Sequence, residues 1–230
     1  MMMKRYPQST DSHGSLKWTQ KLINEKPELL NAGIKNTFSL AQDEKIEWVS
    51  PLKSDEYAEY RDDAFIQKLG INLNKKTLKE FWPNGGPQWD ALGRTNQGKC
   101  FLVEAKAHVG EIVSKPSQAE GRSLEKIKRS LDETKQYVNS KSSADWSSYF
   151  YQYTNRLTHL YFLWVLNSIP TYLIFIYFLN DKEMKGPETK AEWLSALKVM
   201  KKYLGIRRNK LNKFVGEMFI DVRDLQRAIE

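Results

Sequence analysis

Residues 88–106 read Gln88-Trp89-Asp90-Ala91-Leu92-Gly93-Arg94-Thr95-Asn96-Gln97-Gly98-Lys99-Cys100-Phe101-Leu102-Val103-Glu104-Ala105-Lys106. Two stretches with apolar residues flank Asn96-Gln97-Gly98, and a glycine there accepts the left-handed backbone that a tight reversal needs. The pattern predicts a β-hairpin, with a short strand over 88–94 and a returning strand over 99–106. Side chains alternate across a strand, so Val103 and Ala105 should face the core while Glu104 and Lys106 share the opposite face. Asp90 meets Glu104 across the hairpin if the register allows it.

Working outward, a first helix is expected from Leu16 to about Leu30, with a break before Pro27. A second is expected from Ser54 to Leu69, with Ser54 as its cap, Asp55 and Glu56 in its first turn and Gly70 as its stop. Residues 71–86 read as a short polar helix and a Pro-Asn-Gly-Gly turn. After the hairpin, 107–122 read as a loop or short helix. Ser123 to about Val138 then places Leu124, Ile127, Leu131 and Thr134 on one helical face. A helix over about 146–166 carries Phe150, Tyr153, Leu157, Tyr161 and Trp164 at helical spacing. Asn167–Pro170 turns it into a buried strand over 171–179, rich in aromatic and β-branched residues. Thr189 opens another helix, and 214–222 read as strand or helix before a short helical end.

This order describes an α/β sandwich with a mixed central sheet flanked by helices. Residues 1–50 are expected to be a helical extension with a fraying polar start, Met1 to Ser15, and 51–230 the main α/β domain. No glycine-rich strand-to-helix turn or Walker-type lysine motif is present, which excludes a doubly wound nucleotide fold.

Of 230 residues, 36 are Lys or Arg against 28 Asp or Glu, a net charge of +8 that favours anionic partners, nucleic acid first. The single cysteine, Cys100, excludes an intrachain disulfide framework, and a reducing cytoplasm fits. His13, His108 and His159 lack zinc-site spacing. The uncharged run from Leu160 to Asn180 has transmembrane length, but Asn167-Ser168-Ile169-Pro170 divides it. It is read as a helix end, a turn and a strand, with no membrane partner.

Asp90 and Glu104 offer hard oxygen ligands to an ion such as Mg²⁺, which one or two carboxylates can hold with its waters. Lys106 beside them can orient a water or stabilise developing negative charge. The arrangement Asp90…Glu104-Ala105-Lys106, after an acid-bearing helix and before a helix and an apolar strand, resembles the PD-(D/E)XK nuclease superfamily over roughly residues 50–180. The resemblance implies a restriction-endonuclease-like three-layer core and divalent-metal-dependent hydrolysis of DNA by an endonuclease or a structure-specific nuclease. Mg²⁺ is the implied cofactor, with Mn²⁺ as a substitute. In that family the Asp and Glu hold the metal and the Lys assists the attacking water, which carries over to Asp90, Glu104 and Lys106. The family often adds a Glu from its first helix, here the helix expected over 54–69. Glu59 is preferred over Glu56, with Asp62 and Asp63 one turn on. A polar helix residue often reaches the cleft, which points to Gln152 and to Arg156, with His159 on the same face. The chain departs from the pattern in having Trp89 where the family has proline.

Seven basic residues between Ala196 and Val215 (Lys198, Lys201, Lys202, Arg207, Arg208, Lys210 and Lys213) can neutralise a phosphate backbone, with Arg122, Lys126, Lys128 and Arg129 adding to them. DNA is the expected partner and RNA stays open. A nucleic-acid-binding protein on the same fold with little or no cleavage is the alternative. Nothing in the sequence decides between monomer and homodimer.

Overall fold

The run 171–179 is apolar on both of its alternating faces, the pattern of a strand covered from both sides. In the computed structural model, which describes residues 4–226, it is the longest strand of a five-stranded mixed sheet. The strands are β1 (Ile46–Ser50), β2 (Ala91–Thr95), β3 (Cys100–Lys106), β4 (Thr171–Leu179) and β5 (Val215–Asp221), and their spatial order follows the chain. β1–β2 and β2–β3 pair antiparallel, whereas β3–β4 and β4–β5 pair parallel.

Helices α1 (Gly14–Glu25), α2 (Pro27–Phe38) and α8 (Val222–Gln226) cover one face. There Trp18, Leu22, Leu30 and Ile34 pack on Phe101, Val103, Ala105, Ile174, Ile176 and Phe178. The other face carries α5 (Gly121–Tyr137), α6 (Tyr151–Tyr161) and α7 (Lys190–Tyr203), with Leu131, Leu157 and Trp193 over Leu102, Leu173, Phe175 and Tyr177. Two short helices, α3 (Asp63–Lys68) and α4 (Leu78–Phe81), close one end of that layer. At Gly93 a side chain is excluded, because a Cβ would stand 2.9 Å from the Trp48 ring on the paired strand.

Several expectations need correction. No helix runs from Ser54 to Leu69: a 3-10 turn at Lys53–Asp55 gives way to extended backbone at Glu59 and Tyr60, and only Asp63–Lys68 is helical. The backbone groups of 59 and 60 pair with distant chain, Tyr6 N–H to Glu59 O at 3.1 Å and Trp89 N–H to Tyr60 O at 3.1 Å, so a helical ladder cannot form there. The same bridge ties down the start expected to fray, and Arg5 adds ion pairs to Asp55 and Glu56. Met1–Met3 lie outside the described residues. Residues 1–50 supply a helical layer of the sheet and its edge strand β1. The helix expected from 146 begins at Tyr151 and ends in a π-helical turn, Phe162–Leu166. Among the described residues no helix is long and apolar enough to cross a membrane.

Thr189 caps α7 as its sequence suggests. Its hydroxyl accepts the Glu192 N–H while the Glu192 carboxylate accepts the Thr189 N–H at 2.8 Å. Thr189→Ala should cost about 1 kcal/mol in urea unfolding. An unchanged midpoint would mean that packing alone sets the helix end.

Candidate active site

The hairpin ladder ends at Ala91 opposite Val103, yet β3 continues to Lys106. Beyond that point a side chain replaces the missing backbone partner: Asp90 Oδ2 accepts the Ala105 N–H at 2.7 Å. The Asp90 N–H also donates to Val103 O, at 3.2 Å, so residue 90 stands beside that last pair rather than squarely opposite Glu104, whose side chain is on the face that carries Leu102. Lys106 shares that face, and its Nζ donates to Glu104 Oε1 at 2.5 Å and to Gln152 Oε1 at 2.9 Å. Gln152 sits in the first turn of α6, where its own N–H donates to Ser114 Oγ at 2.8 Å.

Glu59 reaches the same cleft from extended backbone between two isolated bridges, not from a helix. Its Oε2 accepts from Gln88 Nε2 at 2.6 Å and from Gln8 Nε2 at 3.3 Å. Asp90, Glu104, Lys106, Glu59 and Gln152 thus line one cavity of about 650 Å³, walled by 86–88 and by the loop 110–118.

Charge is unbalanced here, with four carboxylates (Glu59, Asp90, Glu104 and Glu111) lining the cavity against the cations of Lys106, Lys115 and Arg156. Glu104, 2% exposed, takes both: Arg156 Nε and Nη2 lie 2.6 Å from its Oε2. Burial alone would raise the Glu104 carboxyl, but Arg156 and Lys106 outweigh it and hold the group below the usual range. Burial would likewise neutralise Lys106, but Glu104 and Asp90 keep its ammonium above the ordinary value. Lys106 is therefore a fixed cation rather than a base. Asp90 has the opposite balance: burial, then the charges of Glu104 and Glu59, push it well above the usual carboxylate range despite Lys106. Burial pushes Glu59 up to about 7, with the Gln88 hydrogen bond opposing and Glu104 adding to the rise.

A carboxyl raised on folding binds protons more tightly in the native state, so the Glu59 contribution to stability is full below about 4.5 and is lost as pH rises through about 7. In chelator, Glu59→Gln should flatten the fall in unfolding free energy across that window. An identical pH profile in the variant would rule out Glu59 as its source.

Other candidates lie elsewhere. Glu56 is exposed and pairs with Arg5. Asp62 accepts the N–H groups of Gly85 and Gly86, at 2.8 Å for the closer, and so shapes the turn beside the cleft. Asp63 starts α3 and His108 lies 3.7 Å from Glu111, and neither lines the cavity. His159 is fully buried among Phe65, Trp82 and Trp89, and burial lowers it to about 3, which makes it a neutral core residue. Arg156, by contrast, does line the cavity, and there its guanidinium donates to Glu104 and to Gln88 O at 2.8 Å and lies over the Trp89 ring. Sequence reasoning missed Gln88, Tyr151 and Asn155, which also line the cavity. Tyr151 and Asn155 stand next to Gln152 and Arg156 at helical spacing, which was the available signal.

Among the described residues, no group of three or more His, Cys, Asp and Glu side chains is disposed to hold a metal ion. Glu59, Asp90 and Glu104 share a cleft without forming a three-carboxylate cage. The remaining donor set, Asp90 and Glu104, still fits a hard cation that keeps most of its waters. Asp90 Oδ1 accepts no hydrogen bond from the described residues, and the net negative charge is what a cation would relieve. Compared with known proteins, the chain matches no family model, no curated protein and no solved structure.

Proposed function

We propose that the chain hydrolyses phosphodiester bonds of DNA in a divalent-metal-dependent reaction, on a restriction-endonuclease-like core of the PD-(D/E)XK type. The observation that carries this reading is that Asp90, Glu104 and Lys106 line one cavity, with the Lys106 ammonium hydrogen-bonded to Glu104. Asp90 and Glu104 would hold Mg²⁺ or Mn²⁺, which when bound supplies a Lewis acid and a water of lowered pKa. Lys106, kept charged by its neighbours, stabilises negative charge that develops on a phosphoryl oxygen. Gln152 holds Lys106 in place, and Arg156 holds Glu104. Glu59, poised near neutrality, can accept a proton within the cleft.

One observation favours the alternative of nucleic-acid binding with little cleavage. Both Glu104 oxygens already receive cationic donors, so an ion there must share its ligand. Incubating the wild type and Lys106→Ala with varied DNA and RNA, with and without Mg²⁺, separates the two. Hydrolysis predicts Mg²⁺-dependent cleavage that falls about 10²-fold or more in the variant, with DNA binding largely kept. Absence of cleavage by the wild type on every substrate would leave only the binding reading.

A further inference from the structure

The seven basic residues after Ala196 do not form a flat charged face. Lys198, Lys201, Lys202, Arg207 and Arg208 join Lys141 around a groove of about 1020 Å³ between the C-terminal end of α7 and the loop at 139–143. A second groove of about 630 Å³ shares Arg208 and adds Lys210 and Lys213 beside the rings of Tyr137 and Trp164. Among the described residues no Asp or Glu lines either groove. Lys201 is paired with Glu217 at 2.5 Å, whereas among the described residues Lys141, Lys198, Lys202, Arg207, Arg208, Lys210 and Lys213 make no ion pair. Clustered cations without counter-charge repel one another, and folding alone gives no reason to gather them.

The groove is also built in advance. Ser140 Oγ donates to Leu204 O at 2.9 Å, Ser142 Oγ donates to Tyr203 O at 2.6 Å, and Trp146 Nε1 donates to Leu204 O at 3.2 Å. These bonds staple the 139–143 loop to the end of α7. At Gly205 a Cβ would stand 2.6 Å from Ser140 Oγ, so the close approach requires glycine. Each ring is backed as well, Trp164 by Phe214 at 3.8 Å between centroids and Tyr137 by Tyr161 at 5.1 Å, and Lys210 Nζ, 5.6 Å from the Tyr137 centroid, must turn to a phosphate for a base to stack there. A half-buried ring held from behind can stack a base with little further loss of side-chain freedom.

From this we infer that the two grooves form one track for a single strand of nucleic acid, with phosphates on the unpaired Lys and Arg side chains and bases on Tyr137 and Trp164. The inference rests on the proposed action on nucleic acid and narrows it to substrates that offer an unpaired segment. Duplex DNA presents phosphates but keeps its base faces stacked, so it uses the charges and not the rings.

The test is equilibrium binding of labelled oligothymidylate to the full chain in chelator, where no cleavage can intervene. The wild type should bind it about tenfold more tightly than an abasic strand of the same length and than a duplex. Lys198→Glu/Arg207→Glu/Arg208→Glu should weaken binding at least tenfold and reduce the slope of log K against log salt by about 2. All three side chains are exposed, and the variant should keep the wild-type melting temperature. Equal binding by wild type and variant, or equal affinity for abasic strand or duplex, overturns the single-strand track. So does groove-dependent binding to anionic lipid vesicles without binding to oligonucleotide. Because binding is read without metal, a positive result in a chain that never cleaves would sink hydrolysis and leave the track standing. Retained cleavage with no groove effect would do the reverse.

Discussion

Asp90→Asn should remove Mg²⁺-dependent cleavage, by about 10²–10³-fold or more, and at the same time stabilise the metal-free protein. The amide can still accept the Ala105 N–H, so the local backbone has no reason to shift. What disappears is a charge that burial, Glu104 and Glu59 all disfavour. A raised carboxyl is most costly above its folded pKa, so the gain in melting temperature should be largest at neutral and alkaline pH and should vanish in acid. Added Mg²⁺ should raise the melting temperature of the wild type and leave that of Asp90→Asn unchanged, since an ion stabilises only the form that binds it. A variant that is both less stable and still active would contradict the reading of Asp90 as a metal ligand kept at a cost to the fold.

Arg156→Ala should be among the most destabilising single changes in the chain. It strips Glu104 Oε2 of two donors, frees Gln88 O and Asn155 Oδ1, and removes the cation over Trp89. A buried carboxylate would remain, opposed only by Lys106. Breaking a buried pair from one side typically costs about 3–5 kcal/mol, which urea unfolding would read directly. Glu104→Gln/Arg156→Met should recover much of that loss, because the stranded charge is then gone. A loss below about 1 kcal/mol in the single variant would show that the pair is water-screened and does not fix Glu104.

How far the sequence carried the fold depended on whether the signal was local. The turn at Asn96-Gln97-Gly98, the strand at 171–179 and the cap at Thr189 are written in adjacent residues, and the structure has each of them. Glu104 and Lys106 share a face because strand alternation follows from the same short stretch, and Asp90, just before β2, lines their cavity. The 54–69 segment misled because Ser54-Asp55-Glu56 has the composition of a helix start. Its conformation is set by Tyr6 and Trp89, which lie far off in the chain. Glu59 arrives in the cleft all the same, carried by backbone of another kind. The hold of Arg156 on Glu104 is hidden for a similar reason, since its partner lies 52 residues earlier in the chain. The bend of the basic segment into grooves depends on the stapling serines at 140 and 142, which no charge pattern announces.

The most direct measurement is a calorimetric titration of Mn²⁺ into the wild-type chain, Asp90→Asn and Glu56→Gln at neutral pH. If Asp90 and Glu104 form the ion site, the wild type and Glu56→Gln should bind with the same affinity at that site and Asp90→Asn should lose it. No binding by the wild type, or equal binding by Asp90→Asn, would contradict a metal centre at the hairpin.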